Sequence, residues 1–579
     1  MGDTETHTTP PPATEPAAAS GAAGRRVPSG PRRKYQKISF NPFAQYRGVV
    51  RRFVLLYKHA IGLFAGAFVA SVNQLPAYQK KGLHKGFRRA TAAVLRKLLK
   101  KELRDLPFEV QLRSRLQMLG PTYVKLGQVM AIREDILPPS ITDELKKLLD
   151  QLPEIPFEVV KAILEDNLGG PVEEFFAEID PRPLGSASIG QTHRAQLHSG
   201  ETVVVKVIKP GIRELILQDL KLLQILAGLL EKLIPRYQPQ QIINEFCNYT
   251  EKEINLVYEA DHAEIFAANF ADDPDIVFPR IYREFTTRDV LCMEYFDGLK
   301  PTDPAIFDLP PEALDQVVDI GARAIIRMLY DHGFFHADLH AGNIIVLPDL
   351  KIGFIDLGMV GRFEERIKRN LLFYFNALVH GDIEHSAKYI LAMAQPGKKG
   401  DPEGFRRAVS DLLRRYRVQN AHGDMSLAEL ILESLKIGAQ FNIFFPVEMT
   451  LMVKALVTFE GVGRHLKPKL DVVETSRKHV QKVYEQYYHP RFLTQQLIRN
   501  LPELLDLLTQ FPELVSESAR QWERSLRQRP PENPLVGIKS TMLAGSLIIA
   551  AVITLVQGGP QLLWILLFLA GGILALFGK

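Results

Sequence analysis

An α+β fold of two lobes, one rich in strands and one mostly helical, is predicted by three observations on this sequence. Residues 201–208 form a β-branched run, Val203-Val204-Val205-Lys206-Val207, in which one lysine interrupts an otherwise apolar strand. A stretch of small residues, Leu184-Gly185-Ser186-Ala187-Ser188-Ile189-Gly190-Gln191, precedes that strand. Further on, His336-Ala337-Asp338-Leu339-His340-Ala341-Gly342-Asn343 is followed by Ile355-Asp356-Leu357-Gly358. Asn343 stands five positions after Asp338, and Asp356 thirteen after Asn343. That is the spacing of a catalytic loop and the metal-binding Asp behind it, so the two lobes are expected to be protein-kinase-like.

The elements follow in order. Residues 1–29 are rich in Pro, Ala, Thr and Gly and are expected to be disordered. They lack the layout of a secretion signal, and Asp3, Glu5 and Glu15 argue against an acidic-poor transit peptide. A basic run (Arg25, Arg26, Arg32, Arg33, Lys34, Lys37, Arg47, Arg51, Arg52, Lys58) leads into the apolar residues 60–72. Two readings stand: a solvated charged segment before a core helix, or a basic amphipathic anchor on an anionic membrane face. Residues 85–150 read as helical, with one helix starting at 120–128, and residues 156–168 as another helix. A tight turn between short strands is expected at 185–193. Amphipathic helices are expected at 210–233 and, as a single piece, 240–270. Strands are expected at 277–282 and 290–295, and a helix at 311–332 that delivers the catalytic loop.

The remainder to about residue 522 is mostly helical. Two apolar runs, 540–556 and 562–577, flank a turn at 557–561. Arg520, Arg524, Arg527, Arg529 and Lys539 precede them and Lys579 follows. This predicts a C-terminal transmembrane helical hairpin with the catalytic region on the cytoplasmic side, against the alternative of a buried hairpin. The expected organisation is thus a disordered 1–40, an N-terminal helical extension at 41–155, a strand-rich lobe with a helical insertion at 156–300, a helical lobe with the catalytic loop at 301–530, and a membrane hairpin at 540–578.

With 579 residues and a net charge of only +5, nothing in composition asks for nucleic acid. Two distant cysteines, Cys247 and Cys292, form no disulfide framework and suggest a reducing compartment. The chemistry rests on a few side chains. Lys206 is expected to face a cleft and grip the α and β phosphates of ATP. Its carboxylate partner is expected to be Glu259, with Glu251 and Glu253 as competitors. The long separation of Lys206 from Glu259 requires an insertion in the first lobe. Asp338 is expected to be the catalytic base or orienting group, with Asn343 and Asp356 holding Mg2+. His336 reads as architectural. A metal cluster of His336, Asp338 and His340 is the weaker alternative, lacking a matching further ligand. Ala187, Ser188, Ile189 and Gly190 stand where a glycine-rich phosphate loop would lie, stiffened by their Cβ atoms. Glu294, within Met293-Glu294-Tyr295, marks the hinge whose backbone would meet the adenine edge.

Together these pieces resemble the UbiB family of atypical protein-kinase-like proteins, over roughly residues 108–363 and the C-terminal apolar runs. Lys125-Leu126-Gly127-Gln128 resembles its Lys-x-Gly-Gln signature, residues 187–191 its alanine-rich loop, Glu253 and Glu259 its conserved acidic positions, and 336–343 its catalytic loop. The resemblance implies that N-terminal helices cover the active site. It also implies that Lys125 and Gln128 enter the cleft as regulatory residues, with Lys125 near Glu253 and Asp356, blocking peptide substrates. It implies a role in isoprenoid-quinone biosynthesis, with prenylated intermediates or membrane lipid, and other quinone-biosynthesis enzymes, as partners, and a homodimer as an open option. The expected location is a bacterial inner membrane. Three departures stand out: Asn255 replaces the Asp of the family's Glu-x-Asp, Leu357 replaces the Phe of Asp-Phe-Gly, and the loop begins Gly185-Ser186. Two rivals remain, a nucleotide-binding pseudokinase scaffold and a small-molecule kinase of the aminoglycoside or choline type.

Overall fold

The structure, a computed structural model, describes residues 48–73, 106–131, 137–148, 153–233, 239–397, 399–420, 426–488, 536–556 and 563–570, with residues 91, 94, 103, 133 and 501 between them. The expected disordered N-terminus, the basic residues from Arg25 to Arg47 and the turn at 557–561 lie outside the described residues. The chain divides into two units, residues 1–486 and 487–579.

The first unit opens on helices α1 (Val49–Asn73), α2 (Phe108–Leu119), α3 (Pro121–Ala131), α4 (Pro139–Leu145) and α5 (Phe157–Leu168). Strands β1 (Phe176–Ser186), β2 (Gly190–Leu197) and β3 (Thr202–Ile208) follow. Helices α6 (Ile212–Leu233), α7 (Pro239–Glu253) and α8 (Leu256–Asn269) come next, then β4 (Ile276–Val277) and β5 (Val290–Glu294). The first lobe's antiparallel sheet runs β1-β2-β3-β5. Its two faces serve different cores because side chains alternate along β3. Val203, Val205 and Val207 are fully buried against Val159, Val160 and Leu164 of α5. Val204 and Ile208 face the other way, into a core shared with α2, α3, α6 and α7. Lys206 falls on this second face.

Two sequence expectations are corrected in this lobe. The segment 240–270 is not one helix: it breaks at Ile254-Asn255. Arg213 of α6 donates to the Ile254 carbonyl at the end of α7, and the Asn255 side chain accepts from Val257 N–H at 3.3 Å, starting α8. The strand expected at 277–282 shrinks to β4 and a bridge between Ile281 and Met293, because Pro279 cannot donate a ladder hydrogen bond.

The second lobe begins with α9 (Pro311–Ile326), whose last turns widen into a π-helical segment, Arg327–His332. Gly333 ends it at φ +63, the left-handed region glycine enters without strain. Short strands β6 (Phe334–His336), β7 (Ile344–Val346), β8 (Ile352–Phe354) and β9 (Val360–Arg362) flank residues 337–343 and 355–359: β6 pairs with β9, and β7 with β8. Then come α10 (Glu365–Val379), α11 (Ile383–Ala392), β10 (Gln395–Pro396), α12 (Pro402–Asn420), α13 (Leu427–Gln440), β11 (Ile443–Phe444), α14 (Val447–Leu466) and α15 (Val472–Tyr488).

In the second unit, α16 (Val536–Val556) covers the first apolar run. Among the described residues no helix is long and apolar enough to cross a membrane. The expected transmembrane hairpin is therefore withdrawn. The helix over the first run also takes in the charged Lys539, and the run itself opens on the polar Ser540 and Thr541.

Arg52 changes the reading of the basic run. It is 1% exposed, and its guanidinium donates to both carboxylate oxygens of Asp219 on α6 at 2.6 Å and to the Leu119 carbonyl at 2.6 Å. This charge clamps α1 onto α2 and α6 and faces no membrane. Breaking a buried pair strands one charge, at a cost of about 3–5 kcal/mol, whereas an apolar pair of similar volume is often neutral. Arg52→Met is expected to lower stability by about 3 kcal/mol and Arg52→Met/Asp219→Leu to recover most of it, read from chemical-denaturation midpoints. Equal midpoints for wild type and Arg52→Met would refute the clamp.

Candidate functional site

Lys206 lies on the inner face of β3 because its valine neighbours take the outer one. Its Nζ donates to both oxygens of Glu259 at 2.9 Å and to Asp356 Oδ1 at 2.9 Å. Glu259 is presented by the first turn of α8, whose start the Asn255 cap sets. Neither Glu251 nor Glu253 occupies that place. Glu253, at the end of α7, instead pairs with Lys125 of α3. The Glu-x-Asn departure therefore costs the cavity no charge: Asn255 is a helix cap, a job Asn and Asp do about equally well.

Asp356 sits just past β8 with φ +56, a backbone region that costs a non-glycine residue about 1 kcal/mol or more. Neighbouring bonds hold the turn. Ile355 N–H donates to the Asn343 carbonyl at 3.0 Å, and His262 of α8 bonds the Leu357 carbonyl through Nδ1 at 2.9 Å. His336 is fully buried; its Nε2 bonds the Ile355 carbonyl at 3.2 Å, and its Nδ1 accepts Asp338 N–H at 3.1 Å. That fixes a neutral ring with the proton on Nε2 and gives His336 a structural task. Asn343 Nδ2 donates to the Asp338 carbonyl at 3.1 Å, so the amide's oxygen is the end left to accept a cation. Asp338 Oδ1 meets a residue from outside the loop, Lys454 Nζ of α14, at 2.8 Å.

A cavity of about 570 Å³ brings most of these groups together. Lys125, Gln128, Ala187, Ser188, Ile189, Gly190, Lys206, Glu253, Glu259, Asp338 and Asp356 line it; Asn343 and Glu294 do not. Gln128 donates to the Leu148 carbonyl at 3.4 Å rather than to a charged group. Glu294 ends β5, where its Oε2 accepts Arg280 N–H at 3.1 Å. The loop between β1 and β2 is tight: Ala187 N–H donates to the Gly190 carbonyl at 2.9 Å, which takes one backbone donor away from any phosphate. A Cβ on Gly190 would sit 2.9 Å from the Val207 carbonyl, so only glycine fits there.

Lys209, His262 and Lys454 escaped the sequence reading, as did the partner of Gln191. Buried Lys209 braces the loop by donating to Ser186 Oγ at 2.9 Å and to the Pro153 carbonyl at 3.1 Å. Gln191 exchanges two hydrogen bonds with the backbone of Ile155. His262 and Lys454 lie on ordinary-looking helices, and no local pattern marks either.

The electrostatics form one cluster. Burial opposes the charge on Lys206, but Asp356 and Glu259 outweigh it and hold the ammonium charged well beyond the usual lysine range. Lys206 holds the Asp356 carboxyl well below the carboxylate range despite burial, with Lys125 adding to the pull. Burial pushes Glu259 up, against Lys206 and together with Asp356. Among the described residues no group of three or more His, Cys, Asp or Glu is placed to hold a metal ion. Asn343 Oδ1 and the Asp356 carboxylate are the oxygens that would hold a magnesium ion, whose other ligands beside a nucleotide would be phosphate and water.

Residues 147–390 match the family model described as "ABC1 atypical kinase-like domain", and residues 409–471 the "UbiB helical domain". A "Probable protein kinase UbiB" of Marinobacter nauticus is 32% identical over 422 residues, covering 71% of this chain and 76% of that one. A protein of the same name from Azotobacter vinelandii is 30% identical over 489 residues, covering 82% and 89%. A solved Mycobacterium tuberculosis protein in complex with erythromycin superposes with a TM-score of 0.44 at 24% identity, over 67% of this chain and 97% of that one. So loose a superposition carries no argument.

Burial holds four imidazoles, His262, His332, His336 and His479, below the usual histidine range. Unfolding returns them to about 6.5, so below that pH the unfolded chain binds protons the folded one does not, and stability falls on acidification. Asp356 acts in the same direction only below about pH 4, while the carboxyls raised by burial act oppositely near their own range. The denaturation midpoint is expected to drop between about pH 7 and 5.5, less steeply in His336→Asn. A flat profile in the wild type would contradict the neutral histidines.

Proposed function

The chain belongs to the UbiB family of ABC1 atypical kinase-like proteins, and from that premise we propose that it binds ATP with Mg2+ and turns over the terminal phosphate in support of isoprenoid-quinone biosynthesis. One observation carries this reading: Lys206 is clasped by Glu259 and Asp356 on the wall of the cavity that also holds Asp338. Phosphoryl transfer needs little covalent help from protein. It needs a cation on the α and β phosphates, ligands for magnesium, and a carboxylate that orients the nucleophile. Lys206 supplies the first, Asn343 and Asp356 the second, and Asp338 the third. Bound magnesium would neutralise the developing charge on the phosphates.

The cavity's chemistry supports an amphipathic acceptor or activator. Val129, Leu148, Ile242, Phe246, Val447 and Leu451 line its wall beside the charged floor. That suits a polar head on an apolar body, as in a prenylated quinone precursor. Lys125 paired with Glu253 stands in the same cavity, which disfavours an extended peptide as substrate.

The test is steady-state phosphate release from MgATP by the full chain, with Asp338→Asn beside it. A fall of about 100-fold or more in the variant is expected for loss of the orienting carboxylate. Equal rates in the two proteins would leave a nucleotide-binding scaffold as the better reading.

A further inference from the structure

We propose that Lys454, on α14, is the cation that meets the terminal phosphate of the bound nucleotide. This rests on the nucleotide reading above and deepens it. Lys454 lies within the helical domain at residues 409–471, outside every catalytic segment. It nevertheless crosses to the cleft, where its Nζ pairs with Asp338 Oδ1 at 2.8 Å, and both side chains line the same cavity. Both are partly open to it, at 26% and 32% exposure.

The charges around the cavity single out this lysine. Lys125 pairs with Glu253, and Arg133 with Glu245. Lys146 pairs with Asp143 at the rim. Lys206 sits between Glu259 and Asp356 and is committed to the inner phosphates by its depth on β3. Lys454 is the cation held against the residue that faces the reacting group. The opposite wall is poorly equipped: the loop has given the Ala187 N–H to Gly190, and its Cβ atoms stiffen what remains. Charge on a transferring phosphoryl group spreads over its equatorial oxygens and needs a preorganised cation or donor. In hydrolysis the water oxygen bonds to the γ-phosphorus as the bond to the ADP oxygen breaks, the electron pair leaves with ADP, and both of the water's protons end on inorganic phosphate as H2PO4−. Lys454 faces that group from the Asp338 side, and without nucleotide it neutralises Asp338 instead.

A contact to the terminal phosphate separates ATP from ADP, which a merely structural lysine does not. Calorimetry of the full chain with MgATP and with MgADP therefore tests the assignment on wild type, Lys454→Met and Lys454→Arg. Loss of one charge-assisted contact is expected to lower ATP affinity about 10- to 100-fold in Lys454→Met. ADP affinity should stay within about 2-fold, and Lys454→Arg should keep most of the ATP affinity. Circular dichroism checks that the fold is retained. Equal shifts for ATP and ADP, or none, would overturn the role of Lys454 while leaving the nucleotide site standing. Failure of the wild type to take up either nucleotide would overturn the parent reading and this inference with it.

Discussion

The ammonium of Lys206, shared by Glu259 and Asp356, joins three parts of the chain that are far apart in sequence: strand β3, the start of α8 and the turn after β8. Each depends on a local feature. Valine alternation turns Lys206 inward, the Asn255 cap starts α8 where Glu259 can reach it, and the bonds around Ile355 and Leu357 hold Asp356 at φ +56. One cation between two carboxylates leaves the group with a net negative charge in a partly buried place. Such a cluster is costly unless every charge is paired, and it suits the arrival of a divalent cation with its phosphates.

The helices ahead of the sheet are part of this arrangement. Lys125 of α3 adds to the pull on Asp356 and is itself held by Glu253, so the covering helices are coupled electrostatically to the catalytic turn. Their position is secured further out by the buried Arg52–Asp219 pair, which ties α1 to α6. The UbiB helical domain closes the other side by sending Lys454 to Asp338. The cleft is therefore walled by elements that an ordinary two-lobed kinase does not have. Together they enclose the cavity of about 570 Å³ into which Lys125, Lys206, Asp338 and Lys454 all point their charge.

Much of the candidate cavity's lining was legible because it falls in short segments: Asp338 and Asp356 stand at a fixed spacing, Lys206 in an alternating strand, and Lys125 in a compact signature. Asn343 and Glu294, expected beside them, do not line it. What stayed hidden depends on pairs remote in sequence. Arg52 read as one more residue of a basic run, although its carboxylate partner lies on α6. Lys454 looks like any surface lysine until α14 is packed against the catalytic loop. The helix break at Ile254-Asn255 was missed because apolar periodicity runs through it, whereas the cap and the Arg213 contact that impose it are tertiary. The C-terminal runs misled in the opposite way: hydropathy and flanking positive charge predicted a spanning hairpin, and no described helix meets that requirement.

The most direct measurement is a structure of the full chain with magnesium and a non-hydrolysable ATP analogue. Lys206 Nζ is expected on the α and β phosphates and the metal between Asn343 Oδ1 and the Asp356 carboxylate, with Asp338 facing the terminal phosphate. Nucleotide density away from Lys206, or a metal that touches neither Asn343 nor Asp356, would contradict this placement.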